Sequence, residues 1–258
     1  MPSPTAITAE QWRTYEEAGV MRLPGAIPAE AVTEMANRLW TFLAQRHGHH
    51  RDRPETWTAE WPAHFQPLER SGAFNAMATP LVRQAIDHLL GEGRWSEPDY
   101  WGHPLVTSPI VRPGGWRVPH QHWHIDYVPS APPVARIFTF LDDVRPEGGG
   151  TVYLRGSHRL LAAMAQGGAL TLRSAEVRER LRRHPWFAEL WSRTAAPDRT
   201  QRLMQEGAVI DGVPVAVTEM SGAPGDVLVM QPLMLHALSP NALDRPRLML
   251  THSAYAAR

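Results

Sequence analysis

Hydrophobic residues in the first third of the chain recur at the spacing of one helix face. Apolar positions predict a helix over about residues 28–46 and another over 79–90. Gln11 follows Thr8 at the spacing of a capping box, so a helix is expected to begin there. Residues 20–23 have the pattern of a short strand. The N-terminal third is therefore predicted to be mainly helical.

From about residue 100 the pattern changes to short runs rich in β-branched and aromatic residues, separated by Pro and Gly. Regular short runs of this kind are typical of a β-sandwich or barrel. The predicted strands are residues 105–111, 122–128, 136–141, 151–154, 213–219, 226–230 and 247–254.

The chain between 155 and 207 returns to a helical pattern, and its charged stretch 174–183 is most simply a solvated helix face. We therefore expect an α+β fold that is mainly β, in one domain over 1–258. Its parts would be a helical region over 1–100 and a β core over 101–258, with a helical insert at about 158–206.

Composition removes several classes of function. The chain has 258 residues, no cysteine, and 26 basic residues that are all Arg, so thiol, iron–sulfur and lysine Schiff-base chemistry are excluded. Its 26 acidic residues bring the formal net charge to zero, which disfavours a nucleic-acid binder. Neither a signal peptide nor an apolar stretch long enough to span a bilayer is visible, so a cytoplasmic protein with no membrane association is expected.

The densest group of candidate ligands lies at residues 120–127. On an extended strand, His124 and Asp126 would point to the same side. His236 ends an apolar run that could form a neighbouring strand and complete a set of two His and one carboxylate. Such a set occupies one face of a metal and leaves three positions open, as non-haem Fe(II) oxygenases require. The alternative is that each His is an ordinary hydrogen-bonded strand residue.

Arg247 stands eleven residues after His236, beyond a loop that lets the chain reverse. On the adjacent strand its guanidinium could bind a carboxylate through two parallel hydrogen bonds, such as the distal carboxylate of 2-oxoglutarate. Arg245 is a competing candidate, and a surface ion pair is the alternative role for Arg247.

Several segments in order resemble the phytanoyl-CoA dioxygenase family of Fe(II)- and 2-oxoglutarate-dependent oxygenases. They are the opening helix and strand at residues 7–25, the Trp-His-x-Asp motif at 123–126, the Gly-rich turn and Gly-Ser-His at 147–158, the Pro-Gly-Asp segment that leads from 224 to His236, and Arg247. The resemblance implies a double-stranded β-helix (jelly-roll) core, with Fe(II) held by His124, Asp126 and His236.

The same resemblance implies 2-oxoglutarate as a cosubstrate oriented by Arg247, together with dioxygen. Thr139 and Thr151 could also bind the cosubstrate, although threonine in a strand needs no such role. Because relatives that halogenate have a small residue at the carboxylate position, Asp126 favours hydroxylation of a small organic molecule, with secondary metabolism as one setting.

Substrate contacts are expected from the vicinity of the motif, with Arg117, His120, His122 and Tyr127 as candidates. Two other metal sites remain open: a cupin-like three-His site that does not use 2-oxoglutarate, and a zinc hydrolase site built on the same cluster. A binding protein without turnover is a further alternative. The sequence does not indicate an oligomeric state.

Overall fold

The computed structural model describes residues 6–58, 61–110, 115–126, 133–166, 173–194 and 196–257. Its helices are α1 (Ala9–Ala18), α2 (Ala29–His47), α3 (Gln66–Arg70), α4 (Pro80–Leu90), α5 (Ser157–Gln166), α6 (Ser174–Leu181), α7 (Pro185–Leu190) and α8 (Arg199–Gln201). Its strands are β1 (Val20–Leu23), β2 (His103–Thr107), β3 (Val134–Phe140), β4 (Val152–Arg155), β5 (Ala208–Ile210), β6 (Val213–Glu219), β7 (Val227–Met230), β8 (His236–Ala237) and β9 (Arg247–Tyr255).

The strands form two antiparallel sheets. The larger has the order β1-β7-β3-β9-β2, and the smaller has the order β5-β6-β4-β8. Neighbours in the sheets are distant in sequence, as when β3 pairs with both β7 and β9. This two-sheet arrangement with added helices confirms the predicted jelly-roll core.

Three apolar clusters hold the layers together. One lies between the larger sheet and the N-terminal helices and includes Leu39 and Ile86, and a second lies between the smaller sheet and helices α5–α7. The third joins the inner faces of the two sheets and includes Phe138, Phe140 and Met249. Both faces of the larger sheet are therefore covered by apolar side chains.

The start of the chain folds as its sequence predicts. Thr8 Oγ1 accepts a hydrogen bond from the backbone N–H of Gln11, and the Gln11 side chain accepts one from the backbone N–H of Thr8. Helix α1 ends at Gly19, whose φ of 87° is the left-handed conformation that glycine adopts without strain. No described helix has both the length and the apolar character needed to cross a membrane.

Two strand predictions are wrong in part. Over the described part of residues 122–128, a single bridge at His124 replaces the strand, because His122 has a φ of 62° and breaks the extended backbone. The strand predicted over 105–111 ends at Thr107, and Pro109 beyond it makes only an isolated bridge with Asn241. Proline has no N–H to donate to a ladder.

Candidate metal centre and active site

Three side chains with metal-binding atoms meet at one end of the inner space between the sheets. One ligand atom from each of His124, Asp126 and His236 lies within 4.8 Å of the other two. The Nε2 atom of His124 is 3.6 Å from Asp126 Oδ1, and Nε2 of His236 is 3.3 Å from Asp126 Oδ2. The sequence prediction grouped these three residues, and the structure places them together.

Both imidazoles are oriented by the same kind of hydrogen bond. Nδ1 of His124 lies 2.7 Å from the backbone oxygen of His122, and Nδ1 of His236 lies 3.0 Å from that of Met234. Because a carbonyl oxygen can only accept, each Nδ1 carries a proton, and Nε2 is the ring nitrogen left to bind a metal. The two Nε2 atoms face Asp126, as a metal site requires.

The backbone brings two segments that are far apart in sequence to this point. The N–H of His124 donates to the oxygen of His236, and the N–H of His236 donates to the oxygen of His124, each at 2.9 Å. The left-handed backbone of His122 precedes this bridge, and the His122 carbonyl oxygen accepts from the His124 ring. A non-glycine residue with positive φ in such a position is typical of functional sites.

Arg136, on the inner face of β3, is a site residue that the sequence analysis missed. Its guanidinium contacts Oδ2 of Asp126 and Oγ of Ser253. Burial by itself would raise the pKa of Asp126, but the hydrogen bond from His236 and the charges of His236, Arg136 and His124 outweigh it and hold that pKa at about 2. The carboxylate is therefore ionised at neutral pH, as a metal ligand must be.

Arg247 is a buried cation on the inner face of β9. Its Nη1 is 3.4 Å from Oγ1 of Thr151, which is also buried, and its Nε has no hydrogen-bond partner among the described residues. Burial lowers the pKa of Arg247 to about 10, partly offset by the charge of Glu219, so the guanidinium stays protonated. A buried cation with an unpaired donor is suited to a ligand carboxylate.

Arg245 and Thr139 have other positions. Arg245 is largely exposed and lies 3.6 Å from Asp142, which fits a surface ion pair. Thr139 pairs with Leu250 in the larger sheet, and both residues face the N-terminal helices. Arg247 and Met249 lie on either side of Leu248 along β9, so they face the opposite, inner side of the sheet. The Thr139 hydroxyl donates to the backbone oxygen of Asp226 at 2.9 Å. The expected contact of Thr139 with the cosubstrate does not fit this placement.

The candidate substrate residues Arg117, His120 and His122 line one cavity, together with Arg193 and Arg199. This cavity adjoins the metal-binding group through His122, whose carbonyl oxygen accepts from the His124 ring. Tyr127 lies outside the described residues.

The ligand set distinguishes among the metal sites that the sequence left open. In the described ranges, the group that converges contains Asp126, and neither His120 nor His122 belongs to it. Two imidazoles and one carboxylate on one side leave positions for other ligands, which is the pattern of non-haem Fe(II) oxygenases rather than of a three-His site. The unpaired Nε of buried Arg247 fits a cosubstrate carboxylate.

Comparison with known proteins agrees with this chemistry. The family model described as "Phytanoyl-CoA dioxygenase (PhyH)" matches residues 15–249. A comparison with curated proteins found no match.

Among solved structures, the chain is similar to the non-haem α-ketoglutarate-dependent carbocyclase SnoK from nogalamycin biosynthesis, with a TM-score of 0.54 and 16% identity over 97% of this chain and 85% of that chain. It is similar to EvdO2 from Micromonospora carbonacea var. aurantiaca complexed with 2-oxoglutarate, with a TM-score of 0.54 and 17% identity over 97% and 91% of the two chains. HygX from Streptomyces hygroscopicus, with nickel and 2-oxoglutarate bound, gives a TM-score of 0.52 and 15% identity over 98% and 88%.

At these identities the structural likeness concerns the fold, whereas the family match spans most of the sequence. The chain therefore belongs to the phytanoyl-CoA dioxygenase (PhyH) family of Fe(II)- and 2-oxoglutarate-dependent oxygenases.

Proposed function

We propose that this oxygenase hydroxylates a small organic molecule, with His124, Asp126 and His236 as its iron ligands and Arg247 as the anchor of 2-oxoglutarate. The observation that carries the proposal is the convergence of the three ligand side chains in a fold that also buries Arg247 with its Nε unpaired among the described residues. A buried donor without a partner is costly, so the free Nε is suited to a ligand.

The smaller sheet relates the cosubstrate anchor to the ligands. Tyr153 of β4 is paired with His236, and Thr151, which contacts Arg247, lies two residues before Tyr153. Alternate residues of a strand face the same side and stand roughly 7 Å apart. Thr151, which contacts Arg247, and Tyr153, which pairs with His236, are thus a single strand repeat apart, and this supports the use of Arg247 and His236 by one small ligand.

When bound, Fe(II), 2-oxoglutarate and dioxygen supply the oxidising power to break a substrate C–H bond. The chain's own residues bind and orient these groups. The His122 and Met234 carbonyls hold two imidazoles with Nε2 turned inward, and Asp126 provides the negative charge. Arg247, with Thr151 beside it, would fix the distal carboxylate of the cosubstrate by a two-pronged hydrogen bond.

Hydroxylation is favoured by the carboxylate at residue 126, which fills a position that a halogenating centre leaves for chloride. A setting in secondary metabolism is supported by similarity in fold to a carbocyclase from nogalamycin biosynthesis. Because that enzyme is described as a carbocyclase, ring formation in the substrate is the alternative reaction for the proposed iron centre. Isotopically labelled dioxygen distinguishes the two, because hydroxylation places one labelled oxygen atom in the product and ring closure does not.

The decisive experiment is anaerobic titration of the protein with Fe(II) and then with 2-oxoglutarate, monitored by the weak visible charge-transfer band of the iron chelate. Wild type should develop the band. Arg247→Ala should need a much higher cosubstrate concentration, and Arg247→Lys, which keeps the charge but loses the two-pronged geometry, should be intermediate. Arg245→Ala is the matched control and should behave as wild type.

Thermal unfolding of each variant separates loss of the anchor from loss of the fold. Iron binding without the band in wild type would overturn the use of 2-oxoglutarate and favour a cupin-like metal protein. Equal cosubstrate affinity in folded Arg247→Ala and wild type would overturn the role of Arg247.

A further inference from the structure

A cationic cavity of about 470 Å³ lies beside the proposed iron centre. Five of its lining residues bear guanidinium or imidazole groups, and none of its described lining residues is acidic; the five are Arg117, His120, His122, Arg193 and Arg199. The exposed indole of Trp61 also borders the cavity. Cavities of this size accommodate small organic molecules.

Arg199 gives the cavity a fixed positive charge. Its side chain is buried, and its three nitrogens donate to backbone oxygens of Glu189, Val118 and Leu190 at 3.1, 2.6 and 2.7 Å. Carbonyl oxygens satisfy the donors without neutralising the charge. Burial lowers the pKa of Arg199, and the charge of Glu189 opposes this shift in part.

Arg117 and Arg193 carry their charges at the opening of the cavity. Both are exposed, and neither forms an ion pair with a described residue. The pKa of His120 is lowered, first by burial and then by the positive charges of Arg199 and Arg193, so these charges act on the same space. Two exposed guanidinium groups that face one cavity without a carboxylate leave their donors available for a ligand.

The cavity adjoins the segments that carry the proposed active-site residues. Leu238 and Ser239, two and three residues after His236, form part of its wall, and so does Thr107, which is paired with Arg247 across β2 and β9. A ligand that fills the cavity therefore lies against the segments that carry His236 and Arg247.

We propose that this cavity, bordered by Arg117, Arg193 and Arg199, binds an anionic group of the substrate, so that the molecule oxidised here carries a phosphate or carboxylate away from the reacting carbon. The inference rests on the proposed function, since it assigns a substrate class to the same active site. Guanidinium groups recognise both oxyanions through paired hydrogen bonds. Binding energy from such a remote group positions the reacting carbon.

The test uses the protein loaded anaerobically with Fe(II) and 2-oxoglutarate, and three probes that share a phenyl ring. Phenyl phosphate and benzoate carry the two candidate anions, and benzyl alcohol is neutral. Calorimetric titration should show saturable binding of at least one anion and none of benzyl alcohol. Preference for phenyl phosphate indicates a phosphorylated substrate, and preference for benzoate indicates a carboxylic acid.

The double variant Arg117→Gln/Arg193→Gln should weaken anion binding by at least about tenfold, since two charge-assisted contacts are lost. Arg182→Gln, an exposed arginine on the insert that does not line the cavity, is the matched control and should bind as wild type. Arg199 is left unchanged because its three backbone contacts support the fold.

Two readouts keep the hypotheses separate. If the chelate band forms but neither anion binds, or the double variant binds anions as wild type does, the anion subsite is wrong and the oxygenase assignment stands. If an anion binds and the double variant loses it while the band never forms in wild type, the subsite stands and the use of 2-oxoglutarate is wrong.

Discussion

The hydroxyl of Ser157 accepts a hydrogen bond from the backbone N–H of Leu235 at 2.9 Å, immediately before the proposed ligand His236. Both atoms are buried. Leu154 donates to the oxygen of Leu235 at 2.8 Å, so both backbone groups of that residue are satisfied. The serine at the start of α5 thereby fixes the segment that carries His236, which gives it a positioning role in addition to its place at the helix terminus.

Ser157→Ala should therefore lower the free energy of unfolding by about 1–3 kcal/mol, because it leaves the buried N–H of Leu235 without an acceptor. Iron affinity should fall with it, since His236 would be held less firmly. Urea denaturation and anaerobic metal titration measure the two effects. Ser71→Ala, which removes an exposed local hydrogen bond to Leu68, is the control and should change neither quantity. If the stability of Ser157→Ala is unchanged, the hydrogen bond from Leu235 to Ser157 does not stabilise this segment.

Asp126→Ala should weaken Fe(II) binding by more than about 100-fold, which exceeds the typical effect of a residue outside the ligand set. It removes the only anionic member of the triad and leaves two neutral imidazoles. Anaerobic calorimetry with Fe(II) gives the affinity, and succinate release gives turnover, which should be lost. Asp143→Ala, an exposed carboxylate on the loop after β3, should bind iron as wild type. Full iron binding by Asp126→Ala would exclude this ligand set.

The fold could be predicted where local pattern and tertiary packing agree. The helix beginning at Thr8, the apolar face of α2 and most core strands follow from spacing alone. The segment at 122–126 could not, because alternating His and apolar residues resemble a strand, whereas His122 has a positive φ and His124 forms an isolated bridge with His236. That bridge joins residues more than one hundred positions apart, so local spacing does not indicate it.

Prediction of the site residues from the sequence has the same limit. His124, Asp126, His236 and Arg247 could be grouped from their types and spacing, but the side of the sheet that Thr139 faces could not be predicted, because the larger sheet is buried on both sides. Where both faces are apolar, alternation does not indicate which one faces inward. Arg136 did leave a signal, since it is a lone charge among the apolar residues of β3.

Arg136 acts on the centre through Asp126, so it is a positioning residue. Arg136→Gln should weaken Fe(II) binding by about 10- to 100-fold, the usual cost of losing a partner that orients a ligand. The cosubstrate affinity of the iron-loaded protein, measured by the chelate band, should change much less, because Arg247 is untouched. Arg22→Gln removes a comparable pair with Asp226, 2.7 Å apart, away from the centre and is the control. Iron affinity equal to that of wild type would show that Asp126 is oriented by its loop alone.

His252 should make the protein less stable in acid. It lies on the helix-facing side of β9, stacked on Trp101, and its pKa is lowered from 6.5 to about 4, by burial first, with Arg136 lowering it and Glu97 opposing. Between these values the unfolded chain binds more protons, so stability falls as pH decreases from 6.5 to 4, by about 3 kcal/mol. His252→Phe keeps the stacking and should lose this dependence in urea unfolding.

His88→Phe is the control for that experiment, because this imidazole also stacks on a tryptophan, Trp12, at 3.8 Å. The free energy of unfolding of His88→Phe should fall with decreasing pH as steeply as that of wild type. If His252→Phe and wild type lose stability in parallel below pH 6.5, the ring of His252 does not carry the effect.

Glu219 should make the protein less stable as the pH rises from 4.5 to 7, which is opposite to the effect of His252. Burial raises its pKa from 4.5 to about 7, although backbone N–H groups of Glu147 and Gly150 donate to it and lower it. Over this window the folded chain binds more protons, so stability decreases as pH rises from 4.5 through 7. Glu219→Gln cannot ionise, and its stability relative to wild type should rise by about 3 kcal/mol across the window.

Urea unfolding at several pH values measures the difference in stability between Glu219→Gln and wild type. The contribution of His252 is common to both proteins and cancels in this difference. For the exposed Glu179→Gln, the difference in free energy of unfolding from wild type should not change with pH. If the difference for Glu219→Gln does not change with pH either, the Glu219 carboxylate is ionised throughout the window in the folded protein.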